Sequence, residues 1–146
     1  MLIYYTGEVA MSFDLIDYSE HYFIRCAEEP VPANRAGKFV QIRDECNDRE
    51  YLVLSPAKFS LYHANIVERF CELNELDGFW NSGRTSYTIA DDLWSVTGGG
   101  RWAIDSGEKT LELGSSSKAY GRFDSRDLKI KILSLEAMKG YGISIV

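Results

Sequence analysis

The stretch KFVQIRDECNDREYLVLS, residues 38–55, contains two β-type segments and decides the fold class. In the first segment, polar Gln41 and Arg43 alternate with apolar Val40 and Ile42, which is the pattern of a strand whose two faces differ. In the second, the apolar run YLVL is short and rich in β-forming residues, so a buried strand is favoured over a helix. The stretch therefore predicts two strands of a β-sheet.

A predicted helix follows these strands, and a histidine lies within its apolar face. Ser55 is a suitable N-cap and Pro56 suits the first helical position, so the helix is predicted to run from residue 56 to about residue 76. At about 100° per residue, His63 falls inside the apolar arc of this helix. Residues at spacings of three and four define that arc: Phe59, Tyr62, Ile66, Val67 and Phe70.

His63 has two interpretations on the basis of this segment alone. The first is a core histidine, buried and hydrogen-bonded. The second is a catalytic imidazole held at the floor of a pocket. The segment by itself favours the core histidine.

Two further strands are predicted before residue 28. In one of them, Val9, Met11, Phe13 and Leu15 alternate with small or polar residues. The other is the segment HYFIRCA. Two prolines and a glycine in the following segment, EEPVPANRAG, indicate a loop.

The segment 78–97 is rich in aromatic side chains, with Phe79, Trp80 and Trp94, and it contains the turn signal NSG. It is predicted to form a hairpin or lid near the functional site. The last predicted elements are a strand–turn–strand unit at GGGRWAIDSGEKTLELG, a helix at 124–139 and a closing strand at YGISIV.

Interleaved strands and two helices predict an α/β protein of the α+β type, with a single mixed β-sheet and one helix packed on each face. A chain of 146 residues is most simply one domain, residues 1–146, with a β-rich N-terminal extension over residues 1–35.

Composition excludes several classes of function. The net charge is −6 and no Lys/Arg-rich run occurs, which argues against a nucleic-acid partner. Three cysteines without a CxxC pair, and two histidines, predict neither a disulfide framework nor a metal site. Reduced cysteines, and an N-terminus in which Glu8 and Asp14 come too early for a signal-peptide core, predict a cytoplasmic protein. No apolar run is long enough to span a membrane, and no cofactor is expected. The oligomeric state stays open.

Two short motifs could bind an anion, although each has a plainer explanation. In GGGR, residues 98–101, glycines allow close approach of a ligand and Arg101 offers a fork of donors, but a β-bulge or strand bend also favours glycine. In SSSKAYG, residues 115–121, backbone N–H groups and the hydroxyls of Ser116 or Ser117 could form an anion-binding nest, or the segment could be a solvated turn.

These motifs, taken in order, resemble the Janus/Ocnus family, whose best known members are the small protein-histidine phosphatases. The matching segments are KFVQI beginning at Lys38, YHANI around His63, GGGR ending at Arg101, and KAYG preceded by Ser117. The resemblance covers residues 36–146.

The resemblance implies a metal-free phosphatase that removes phosphate from phosphohistidine on a protein or from a small phosphoramidate. By motif position, His63 is the catalytic histidine and Lys38 binds the phosphate. Ser116, Ser117 and Ala119 line the phosphate loop, and Arg101 lies near the site. Early position in a helix and partial burial are both expected to lower the pKa of His63, which keeps the imidazole neutral for catalysis.

The chain departs from the family pattern in its larger, β-rich residues 1–35 and at three places within the matching region. Asn65 stands where the pattern has Asp, Ser55 stands where an arginine sometimes occurs, and residues 78–97 form an insertion. These departures support a second hypothesis from another class, a phosphate- or phosphopeptide-binding module without turnover. A turnover assay separates this module from the enzyme.

Overall fold

The computed structural model describes residues 4–5, 8–9 and 12–146. Within this part of the chain, no helix is long and apolar enough to cross a membrane. The helical elements are α1 (His63–Leu73), α2 (Leu128–Leu133), a π-helix (His21–Cys26) and a 3₁₀-helix (Glu136–Met138). The strands are β1 (Tyr4–Tyr5), β2 (Glu8–Val9), β3 (Ser12–Asp17), β4 (Asn34–Asp44), β5 (Arg49–Pro56), β6 (Gly78–Trp80), β7 (Tyr87–Ile89), β8 (Trp94–Asp105), β9 (Thr110–Gly114) and β10 (Gly142–Ile145).

Six strands form one mixed sheet in the order β10-β9-β8-β4-β5-β3. The four central strands pair antiparallel with one another, whereas the edge strands β3 and β10 pair parallel with β5 and β9. Two short antiparallel pairs, β1 with β2 and β6 with β7, lie outside this sheet. The predicted mixed α/β architecture is confirmed at this level.

Alternate residues of β4 belong to two different apolar clusters. Val40 and Ile42 share one cluster with Ile66 of α1, and Phe39 shares the other with Leu128 of α2. Successive side chains of a strand point to opposite faces of a sheet. All five of these side chains are fully buried, and each contributes on the order of 1.5–3 kcal/mol to the free energy of unfolding.

The predicted start of the first helix is wrong. Ser55 and Pro56 are the last residues of β5, where they pair with Lys38 and Gly37 of β4. The hydroxyl of Ser55 lies 2.7 Å from that of Ser60 and caps no helix. The local Ser-Pro signal is overridden because the β4–β5 ladder continues through both residues.

The helix begins instead at His63, about two turns after the predicted start at residue 56. Tyr62 is the N-cap, and its backbone N–H donates to Oδ1 of Asn65 at 3.1 Å. An amide oxygen at position 65 therefore serves this cap as a carboxylate oxygen would. The departure from the family pattern at Asn65 removes a charge but not the cap.

The prediction of a strand at HYFIRCA is also wrong, because His21–Cys26 is a π-helix. Asp17 ends β3, since its carboxylate accepts hydrogen bonds from the N–H and the hydroxyl of Ser19 and so turns the chain. The strand predicted around Phe13 and Leu15 is confirmed as β3, whereas Ala10 and Met11 lie outside the described residues.

The second predicted helix, residues 124–139, is shorter than expected. It comprises α2 and the separate 3₁₀-helix, with an extended residue, Leu135, between them. Asp127 precedes α2 in a left-handed conformation, which ends any earlier helical turn.

We expect Gly100→Ala to destabilise the fold and Gly142→Ala to leave it nearly unchanged. A Cβ atom at residue 100 would lie 2.2 Å from the carbonyl oxygen of Gly114 on β9, whereas one at residue 142 would meet nothing within 4 Å. Overpacking of this kind costs about 1–3 kcal/mol or more, which lowers the melting temperature of a chain this size by several degrees. Thermal unfolding followed by circular dichroism measures the difference, and equal melting temperatures would contradict the close approach of β8 and β9.

Candidate active site

A cleft of about 940 Å³ lies between the start of α1, the β6–β7 hairpin and the loop that follows β9. The structure brings together in this cleft all six residues that the sequence singled out. These are Lys38, His63, Arg101, Ser116, Ser117 and Ala119.

His63 is the first residue of α1 and is 8% exposed. Its Nε2 atom lies 2.9 Å from the carbonyl oxygen of Gly100 on β8. A carbonyl oxygen can only accept, so Nε2 carries the proton, and in the neutral ring Nδ1 has a free lone pair. Among the described residues, none forms a hydrogen bond with Nδ1. This nitrogen is therefore the ring atom of His63 that remains for a substrate.

The surroundings of His63 keep its imidazole neutral at pH 7. Burial is the largest influence and lowers the pKa of His63 below its usual value of 6.5. The positive charges of Lys38 and Arg101 lower this pKa further, although the hydrogen bond to Gly100 acts in the opposite direction. A neutral imidazole with a free Nδ1 can attack phosphorus or accept a proton from water.

Gly99 makes room for the imidazole ring on the sheet. A Cβ atom at this residue would lie 2.9 Å from Cδ2 of His63 and 2.7 Å from the carbonyl oxygen of Phe39. The GGGR motif thus permits close approach to the strand, as expected. The group that approaches Gly99 is the imidazole of His63 and not a ligand. A β-bulge is present as well, because the β4–β8 register shifts between Gln41 and Ile42, just before these glycines.

Lys38 and Arg101 lie directly opposite each other on β4 and β8, so their side chains share one face of the sheet. Like charges in opposed positions repel each other. Neither residue takes part in an ion pair with any described residue. An anion bound between them would remove this repulsion, and both side chains line the cleft.

The loop after β9 has a fixed shape that depends on Ser117. This residue is 3% exposed, its N–H donates to the carbonyl oxygen of Gly121, and its hydroxyl oxygen accepts from the N–H of Tyr120. The backbone N–H of Ser117 is therefore already used, contrary to a nest that includes it. No hydrogen bond among the described residues uses the N–H groups of Ser116 or Ala119, so these two can still donate to an anion.

The hairpin predicted within residues 78–97 is present as β6 and β7, and Trp80 lines the same cleft as His63. Phe79 is instead 56% exposed, and Trp94 belongs to β8 and stacks on Tyr51.

Several residues that line the cleft were not singled out from the sequence as site residues, among them Glu68, Arg84, Thr85 and Lys118. The spacing of Glu68 from His63, five positions along the predicted helix, carries no signal of a shared cleft. Arg84 and Thr85 occur in a turn whose orientation no local pattern specifies.

Tyr120 connects the hairpin to the loop after β9. Its hydroxyl donates to the carbonyl oxygen of Tyr87 at 2.7 Å and accepts from the N–H of the same residue at 2.8 Å. On the other strand of the hairpin, Nε1 of Trp80 donates to the carboxylate of Glu68 on α1 at 2.8 Å. The β6–β7 hairpin is thereby hydrogen-bonded both to α1 and to the loop after β9, the other two walls of the cleft.

The sequence matches no protein-family model, and no curated protein matches it. Among the described residues, no three His, Cys, Asp or Glu side chains are grouped in a way that could hold a metal ion.

We expect the pKa of His63 to lie below 6.5 and to rise toward that value in Lys38→Ala, because this substitution removes a nearby positive charge. NMR titration of the imidazole resonances, assigned with a His21→Gln variant, measures it. Since the folded state then binds fewer protons than the unfolded state, the free energy of unfolding falls as pH decreases from 6.5 toward the folded pKa. A pKa above 6.5, or one that Lys38→Ala does not change, would contradict this description of the site.

Proposed function

We propose that this chain is a phosphatase that hydrolyses phosphoramidates, above all phosphohistidine on proteins, without a metal ion. One observation carries the proposal. A neutral imidazole with an unengaged Nδ1 lies in the same cleft as two opposed cations that no described carboxylate neutralises. A histidine with a purely structural role would not require two uncompensated cations in the same cleft.

We also propose that the fold is that of the phosphohistidine phosphatases, with one helix packed on each face of the sheet. The support is the assignment of α1 and α2 to different apolar clusters, which contain alternate residues of β4. The order of the four sequence motifs along the chain is a second, independent support.

In the proposed reaction, the phosphoryl oxygens bind between Lys38 and Arg101 and accept hydrogen bonds from the N–H groups of Ser116 and Ala119. These donors stabilise the charge that the oxygens carry in the transition state. The substrate's N–P bond breaks, and its electron pair leaves with the nitrogen, which takes up a proton.

Two roles of His63 satisfy this scheme. As a nucleophile, Nδ1 forms an N–P bond to the phosphoryl group, and water then hydrolyses this intermediate to inorganic phosphate. As a general base, Nδ1 accepts a proton from the water molecule that attacks phosphorus. Both roles require the tautomer with the proton on Nε2, which is the one that Gly100 selects.

The second candidate function is a phosphate- or phosphopeptide-binding module on the same fold, and one observation favours it. Glu68 is the only carboxylate that lines the cleft among the described residues, and it already accepts a hydrogen bond from Trp80. Among the described residues, the cleft therefore holds no unengaged carboxyl group that could protonate the leaving nitrogen, a group that a binding module does not need.

We expect His63→Ala and His63→Gln to lose turnover of phosphoramidate, by at least about 10²–10⁴-fold, since both lack the reactive imidazole. The chain should stay folded in both variants. The glutamine amide can still donate to Gly100, so His63→Gln should retain more of the melting temperature than His63→Ala, which forfeits a hydrogen bond worth about 1 kcal/mol. Release of inorganic phosphate and thermal unfolding are measured on the same samples.

Three outcomes would contradict the proposal. Turnover that survives in the folded His63 variants would make His63 a structural residue. Absence of turnover in the unmodified chain, with phosphate binding intact, would favour the binding module. Loss of turnover after treatment with a chelator would exclude the metal-independent reaction.

We expect Lys38→Ala to weaken the binding of inorganic phosphate by roughly tenfold, because it removes one charge-assisted hydrogen bond worth about 1.5 kcal/mol. The melting temperature should change little, since a partly exposed lysine without an ion-pair partner adds little to stability. Lys129→Ala is the matched control, because Lys129 lies on α2 and does not line this cleft. Isothermal titration calorimetry measures the affinity, and equal affinity in both variants would remove Lys38 from the site.

A further inference from the structure

The cleft extends well beyond the groups assigned to the phosphoryl group. Its outer wall is the β6–β7 hairpin, which contributes Trp80, Arg84 and Thr85. A volume of about 940 Å³ is far larger than a phosphoryl group requires. The hairpin end must therefore face the part of the substrate from which the phosphoryl group departs.

The turn of the hairpin has a defined conformation. Oδ1 of Asn81 accepts hydrogen bonds from the N–H groups of Thr85 and Ser86, and its amide nitrogen donates to the hydroxyl of Thr85. Arg84 lies inside this closed turn, and its own N–H donates to the carbonyl oxygen of Asn81. Together with the bonds from Trp80 and Tyr120, these contacts hold Arg84 at a fixed place on the rim.

Arg84 presents a guanidinium group without an acidic partner. The guanidinium carbon lies 4.6 Å from the centroid of the Trp80 ring, so the group rests on the indole face. Stacking of this kind leaves the N–H groups at the edge of the guanidinium free to donate. No ion pair among the described residues includes Arg84, and the nearby carboxylate of Glu68 is bound to Trp80.

The cleft as a whole is positively charged, which also favours an anionic ligand near Arg84. Four cationic side chains line it, Lys38, Arg84, Arg101 and Lys118, against the single carboxylate of Glu68. The chain as a whole has a net charge of −6, so this cationic concentration is local. Lys38 and Arg101 suffice for one phosphoryl group, which leaves Arg84 for a second negative group.

We infer that Arg84 determines substrate specificity by binding a carboxylate of the polypeptide that carries the phosphoryl group. The inference rests on the proposed function, and it narrows the substrate class to phosphohistidine segments with an aspartate or glutamate close to the modified histidine. Trp80 is a positioning residue, which holds the guanidinium through its ring and is itself held by Glu68.

The test uses two phosphohistidine peptides of equal length, one with aspartates flanking the phosphohistidine and one with asparagines at the same places. The full chain should prefer the aspartate peptide by about two- to fivefold in kcat/KM, the range expected for a pair of solvent-accessible charges. Arg84→Ala should abolish this preference, Arg84→Glu should reverse it, and Arg84→Lys should retain part of it. The change should be larger in KM than in kcat, since Arg84 binds a group that does not react.

Lys129→Glu is the matched control, because it changes the net charge as Arg84→Glu does but lies outside the cleft. It should leave the preference at the value of the unmodified chain. Equal kcat/KM for the two peptides, or a preference that persists in Arg84→Ala, would overturn the inference while hydrolysis itself remains. Hydrolysis of free phosphoramidate, measured on the same samples, distinguishes failure of the Arg84 inference from failure of the proposed function. If neither peptide nor phosphoramidate is hydrolysed, the proposed function fails, and the inference fails with it.

Discussion

The hydrogen bond between Nε2 of His63 and the carbonyl oxygen of Gly100 is the interaction on which the rest of the site depends. It joins the first residue of α1 to the middle of the sheet and fixes the tautomer of the imidazole. It also requires Gly99, since a side chain there would occupy the space of the ring. Through this one bond, the start of α1, Gly99, Gly100 and the unengaged Nδ1 of His63 become parts of a single arrangement.

The same arrangement carries an electrostatic cost. Lys38 and Arg101 face each other on adjacent strands, and both disfavour a proton on His63. Without an anion, their mutual repulsion reduces the stability of this part of the sheet. A dianionic phosphoryl group would convert the repulsion into two favourable pairs. The same two cations thus have two effects. They would bind an anion favourably, and in the free protein they favour the neutral form of His63.

Sequence patterns predicted the sheet better than the helices, and the reason is physical. Strand β4 shows an alternation of polar and apolar residues, and β5 is a short apolar run buried on both faces. Each of these patterns can be recognised directly in the sequence. Ser55 and Pro56 carry an equally clear helix-start signal, yet the pairing of β5 with β4 decides their conformation. That pairing depends on distant residues, which a local pattern does not contain.

The candidate site shows the same division between local and distant information. The motifs around Lys38, His63, Arg101 and Ser117 predicted residues that line one cleft. The places of Arg84 and Thr85 in the cleft were not predictable, because the orientation of their hairpin depends on contacts with residues far along the chain, from Trp80 to Glu68 and from Tyr120 to Tyr87.

The hairpin and the loop after β9 are coupled through one side chain. Tyr120 accepts and donates at Tyr87 through its hydroxyl, while its N–H donates to the hydroxyl of Ser117. The loop that would hold the phosphoryl group therefore cannot shift without moving β7. Because β6 is in turn held to α1 by Trp80, the cleft has walls that constrain one another. A ligand of such a cleft would meet a shape and charge that exist before binding, at a lower entropic cost than a loop that must become ordered around the ligand.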